Sequence, residues 1–311
     1  MHLNNVGSLW LRRYAVLVAC CTFALLIAGG LVTSNDAALS VPDWPLSWGH
    51  LVPTLEGGIR YEFAHRAAAM LVALLTVGLA LAIQVGQPLP HGRGSDGAAT
   101  LQSEPRPGYP PGVGSVSKLA WAAVVVVLAQ AALGGAAVRF LTPAWATIAH
   151  ASLGQLFFAL IVAICVALYA GVAGAHVPSL VCAAALFAQT ILGAGVRYGV
   201  VAPAAHIVGA LLATILVMWA GLSILMRNMD NPKLRRPAML LLSIAFSQVF
   251  LGIGALMARV AYAAAPQPMP LMVLFTVAHV AVGSLALGAA VALAMLARPA
   301  AFPLHGGMVT A

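Results

Sequence analysis

Residues 63–85 read FAHRAAAMLVALLTVGLALAIQV, and the fold is decided by that run. Crossing a bilayer takes about 20 mostly apolar residues as a helix, and this stretch is long enough. It also carries a histidine, His65, close to its start. Lipid penalises ionisable side chains, so a histidine at such a place calls for a functional explanation. Seven other segments have the same character: 14–33, 118–139, 148–171, 178–197, 204–226, 238–260 and 271–297. The expected fold is an all-α membrane protein of eight transmembrane helices.

Composition agrees. The chain is 62% hydrophobic and 7% charged over 311 residues. Soluble domains carry about 25% charged residues, so a water-facing globule of this size would lack polar surface. The net charge of +8 is scattered through short loops, which argues against nucleic acid as a partner and for a topology signal. Cys20, Cys21, Cys165 and Cys182 all fall inside apolar runs and are expected to act as small hydrophobes. The run 14–33 follows Arg12 and Arg13. It is too long for a signal-peptide core and lacks a small-residue cleavage site, so it is read as the first membrane helix. Segment 86–117, rich in Gly, Pro and Ser, is read as a mobile linker.

With both termini on one side, ten Lys and Arg fall on that side and five on the other. The positive-inside rule then expects cytoplasmic termini and places the start of every even helix outside. Those starts share a pattern: EFAHRAAAM (62–70), TIAHASLGQ (147–155), AAHIVGALL (204–212) and TVAHVAVGS (276–284). The odd helices repeat as well. QAALGGAAVR (130–139), QTILGAGVR (189–197) and QVFLGIGALMAR (248–259) share a Gln, a glycine patch and a final Arg. LLIAGGLVT (25–33) is an echo without the Gln or the Arg. The repeat suggests two four-helix bundles related by a pseudo-twofold axis, residues 1–172 and 173–311, with equivalent sites.

Histidines on facing helices are natural axial ligands for haem iron. His65 would pair with His150, and His206 with His279, all in the outer half of the membrane. For a single histidine, hydrogen bonding between helices would be the better account. Four in register favour ligation. The glycine patches allow close helix approach, and Gln130, Gln189 and Gln248 are expected to bond across the bundle. Arg66, Arg139, Arg197 and Arg259 lie at the same level. They either snorkel to headgroups or clamp a carboxylate such as a haem propionate. Glu62 precedes His65 by three residues and so shares its helix face. It either favours the helix dipole or handles protons at the site. The other histidines are preceded at that spacing by Thr147, Pro203 and Thr276, so the two bundles are expected to do different work. The loop 39–53, LSVPDWPLSWGHLVP, combines interfacial tryptophans with prolines and suits either an anchor or a lid.

GGLVTS, the loop LSVPDWPLSWG, EFAHR, three further histidine helices and the LGG–VR repeats together resemble the haem A synthase family, over residues 16–297. The resemblance implies an oxidoreductase of the bacterial inner membrane that converts a ring methyl of haem O to a formyl group. The product, haem A, serves terminal oxidases. It implies Glu62 as the catalytic acid, His65 and His150 as ligands of the substrate haem, and His206 and His279 as ligands of a haem b cofactor. Haem O synthase, oxidase assembly factors and an electron acceptor are the implied partners, besides lipid. Many family members carry a cysteine pair around the P-D-W-P-L element, where this chain has Val41 and Ser47. Two rivals stand beside this reading. One is a dihaem b-type electron-transfer protein that handles quinol without methyl chemistry. The other is a haem transporter or chaperone.

Overall fold

The structure, a computed structural model, describes residues 4–85, 113–170 and 175–297. Eight helices make up the fold: α1 Asn4–Ser34, α2 Ile59–Val85, α3 Val113–Arg139, α4 Ala144–Ala170, α5 Val177–Arg197, α6 Pro203–Asn228, α7 Pro232–Ala261 and α8 Pro270–Leu296. Each is long and apolar enough to cross a membrane. Large apolar side chains such as Leu74, Leu211, Ile215, Phe246 and Phe250 are exposed on their surfaces, which suits contact with lipid. The protein is an all-α membrane protein. Most of the sequence-read linker, residues 86–112, lies outside the described residues, as do Arg93, Arg106 and Arg298 from the charge count.

Two helices run further than the apolar pattern alone predicts. α1 continues back through Arg12 and Arg13. Trp10 stacks on Tyr14 at 5.2 Å, and the Arg12 guanidinium lies 5.5 Å from the centre of the Tyr169 ring. Aromatic partners thus let the basic turn stay helical. α7 begins at Pro232 because Asn231 caps it, its side chain accepting from the Lys233 N–H at 3.1 Å.

Helix neighbours form two closed circuits. α1 packs on α2, α2 on α3, α3 on α4 and α4 on α1. α5, α6, α7 and α8 repeat that order, with α8 returning to α5. The circuits meet where α4 touches α5 and α8, and where α1 touches α8. The well-packed cores lie away from the histidines. In the first circuit the core includes Val18, Val72, Leu79, Ala123, Val127, Phe157 and Ile161, which run from the middle of their helices toward the far ends. Cys182, Val217, Leu241, Leu287 and Ala290 do the same in the second. The helices are therefore pinned together from the middle to one end, and the histidines sit beyond that core at the other.

Candidate functional site: two imidazole pairs

Each histidine sits on the glycine patch of the helix before it. A Cβ added to Gly29, Gly134 or Gly193 would lie 3.1 Å from Cε1 of His65, His150 or His206, and one on Gly252 would lie 3.0 Å from Cε1 of His279. The first glycine of every patch is thus the floor of an imidazole. The second positions differ. Gly30 faces Val277, Gly135 faces the Trp44 indole, and Gly254 faces Phe275.

These floors bring the rings together in pairs. The centres of His65 and His150 are 6.3 Å apart with planes at 79°, and those of His206 and His279 are 6.2 Å apart at 82°. With metal–imidazole bonds of about 2.0 Å, and about 1.1 Å from nitrogen to ring centre, two rings on opposite sides of one metal are about 6.2 Å apart. The same distance also falls within the range of edge-to-face ring contacts. One of the four rings is oriented as a metal ligand would need. His150 Nδ1 lies 3.1 Å from the Gln130 carbonyl, where its N–H donates. That leaves a lone pair on Nε2, the arrangement that a ligating histidine takes. The Nδ1 atoms of His65 and His279 are buried without a hydrogen-bond partner. Groups of three or more His, Cys, Asp and Glu placed to hold a metal are absent among the described residues, so paired imidazoles are the donor sets at hand.

Glutamine secures three of the four histidine helices. Gln130, Gln189 and Gln248 donate from Nε2 to the backbone carbonyls of His150, His206 and His279 at 2.8, 2.7 and 2.9 Å. Gln189 Nε2 also lies 2.9 Å from His206 Nδ1. The expected bonds across the bundle are therefore present, and they reach the backbone of the histidines themselves. The equivalent residue on α1 is Leu25, which offers no amide.

Glu62 and Arg66 fasten the loop 35–58 to α2. Glu62 is 3% exposed. Its Oε2 accepts from the Val41 N–H at 2.8 Å and its Oε1 from Arg66 Nη2 at 2.5 Å. Arg66 also donates to the carbonyls of Val41, Asp43 and Leu46, at 2.9, 2.7 and 3.1 Å. The guanidinium is thereby engaged by the loop, so Arg66 is a staple where the sequence offered a headgroup or propionate contact. The i,i+4 spacing signalled the ion pair; the carbonyls it reaches are set by the loop's folded path. Of the other arginines, Arg197 donates to the Thr33 carbonyl at 2.5 Å and Arg259 to the Val196 carbonyl at 3.4 Å. Arg139 is exposed.

The loop is well ordered by its own bonds. Asp43 accepts from the N–H groups of Trp48 and Gly49 at 2.7 and 2.8 Å, and Trp48 Nε1 donates to the Ser40 carbonyl at 3.1 Å. Val41 is fully buried and Ser47 is 3% exposed. Trp44 lies against Gly135, next to the glycine that floors His150, so the loop reaches α3 beside the first imidazole pair. The Gly49 N–H, opposed by desolvation and aided by the Trp48 N–H and the Arg66 charge, holds the Asp43 carboxyl below its usual range. A group with a depressed folded pKa stabilises above its unfolded value, about 3.9, and that contribution fades as pH falls through the folded value. Hydrogen exchange at Trp48 and Gly49 is therefore expected to be slow and pH-corrected constant from neutral down to about pH 4, and to accelerate below it. Exchange already fast at pH 7 would remove Asp43 as the organiser of this turn.

No family model matches the chain. Over 79 residues it is 30% identical to a protein of Hyphomonas neptunium named "Heme A synthase". The matched stretch is 25% of this chain and 22% of that relative's length.

Proposed function

We propose that the protein oxidises a ring methyl of haem O to a formyl group, giving haem A, a four-electron oxidation that takes one oxygen atom from an external co-substrate and passes the electrons to an external acceptor. The observation that carries this is the pair of imidazole pairs, each spaced to bracket one metal and each seated on glycine. The partial likeness to a protein named "Heme A synthase" supports it. On this reading, residues 1–172 form the substrate bundle and residues 173–311 the cofactor bundle, as the two helix circuits suggest. His65 and His150 would hold the substrate's iron. His206 and His279 would hold haem b, which when bound supplies one-electron transfer. The positive-inside count puts the termini in the cytoplasm and both sites near the outer face of a bacterial inner membrane.

The chain's own residues divide the remaining work. The loop 35–58, stapled to α2 by Arg66, would lie beside the first pair and limit water there. Glu62 lies one turn from His65, where a carboxyl can take up protons released as the methyl carbon is oxidised. Arg139, Arg197 and Arg259 lie at the histidine ends of their helices, where propionates would meet positive charge.

The test is haem extraction and chromatography of membranes containing the protein and supplied with haem O. Haem A should appear, and should vanish with His150→Ala. Two bound haems with no haem A would establish the second reading, a dihaem electron-transfer protein. One observation favours that alternative: both Glu62 oxygens are already bonded to loop and arginine. A purified protein without haem absorption would defeat both.

A further inference from the structure

The four imidazoles are equivalent in seat but unequal in support. All rest on a glycine at 3.0–3.1 Å from a built Cβ. His150, His206 and His279 each have their backbone carbonyl held by a glutamine amide of the preceding helix. His65 has none, because Leu25 stands four residues before Gly29, where Gln130, Gln189 and Gln248 stand before Gly134, Gly193 and Gly252. His65 Nδ1 approaches the Leu25 backbone without reaching hydrogen-bond geometry, whereas His150 Nδ1 is anchored on the Gln130 carbonyl at 3.1 Å. His279 Nδ1 is unbonded too, but its carbonyl is clasped by Gln248. Among the described residues, His65 alone lacks both supports.

Outer partners of a metal-bound histidine fix its orientation and its basicity. A ligand without them is the one that swings away most readily. We infer that His65 is the releasable ligand of the first pair and His150 its permanent one, so that the first site opens a coordination position on the α2 side while the second stays closed. This rests on the reading of the pairs as haem ligands. It gives the broken repeat at Leu25 a purpose: the first site must admit a small molecule to the iron, and the second need only pass electrons. The open position faces the helix that carries Glu62, one turn from His65. Leu25 is therefore a positioning residue, acting through the absence of an amide.

The test uses the intact protein with its bound haems, reduced and exposed to carbon monoxide. Half of the haem should bind CO. Leu25→Gln supplies the missing amide and should lower the CO-binding fraction of the first site roughly tenfold or more, the scale on which outer partners act, with total haem unchanged. Gln248→Leu should open the second site by a similar factor. His65→Ala should keep first-site haem in a five-coordinate, high-spin form, and His150→Ala should lose it; this pair decides the matter if Leu25→Gln does not fold. CO binding at neither site or equally at both would overturn the inference, as would haem loss in His65→Ala with retention in His150→Ala. Haem A extracted from the same preparation separates this result from the proposed function: haem A with a CO-silent first site sinks only the His65 assignment.

Discussion

Glu62→Ala and Arg66→Ala should release residues 41–46 from α2 to the same extent. The two side chains form one device, with the carboxylate holding the Val41 N–H and the guanidinium holding three loop carbonyls. Their side chains are 4% and 16% exposed. Removing one partner of a buried ion pair strands the other and costs about 3–5 kcal/mol. Here that cost falls on the loop, so hydrogen exchange at residues 41–46 should rise by orders of magnitude while the helix cores stay protected. The double variant should be little worse than either single one, because the second change removes a partner already lost. Turnover separates latch from chemistry. If Glu62 handles protons, Glu62→Ala should lose far more activity than Arg66→Ala. Equal losses would mean that the carboxylate acts only by holding the loop.

Filling the glycine floors should be as damaging, and at both sites. A methyl group at Gly134 or Gly252 would meet Cε1 of His150 or His279 at 3.1 or 3.0 Å, so the ring must yield by a few tenths of an ångström. The branched side chain of Gly134→Val or Gly252→Val leaves no such latitude and would push the imidazole off its axis. Haem retention at the affected site should fall by about 10–100-fold or more, with the other site unchanged. Alanine should fall between valine and wild type. Normal haem content in both valine variants would show that the rings do not need these seats. The cores that hold the helices together begin at mid-helix and run away from these glycines, so their packing is largely spared.

Much of this architecture was legible in the sequence because lipid is a strict solvent. Eight apolar runs had to be helices, and the histidines stood out against them. Their pairing followed from the repeat, since equivalent helices place equivalent residues at equal depth. The role of the glycines was half visible: small residues announce close approach, but not whether a backbone or an imidazole approaches. The absent glutamine at Leu25 could be read as a weak repeat, and its meaning emerged only with the carbonyls that the other three clasp. Arg66 was misjudged for a different reason. Its partners are backbone oxygens about 20 residues away in a loop, and no side-chain pattern encodes them. Val41 and Ser47 are both buried, and at Val41 the loop is bonded directly to Glu62 of α2.

The place of α8 has a bearing on how the protein matures. It follows α1 to α7 along the chain, and it packs on α1, α4, α5 and α7, so it touches both halves. Until it inserts, His206 has no opposite number and α4 has a bare flank. Neither half is then fully packed until α8 is in place. A truncation that removes only this segment would strip the N-terminal half of its support as well, and a stalled or shortened product would be recognisable to quality control as wholly immature.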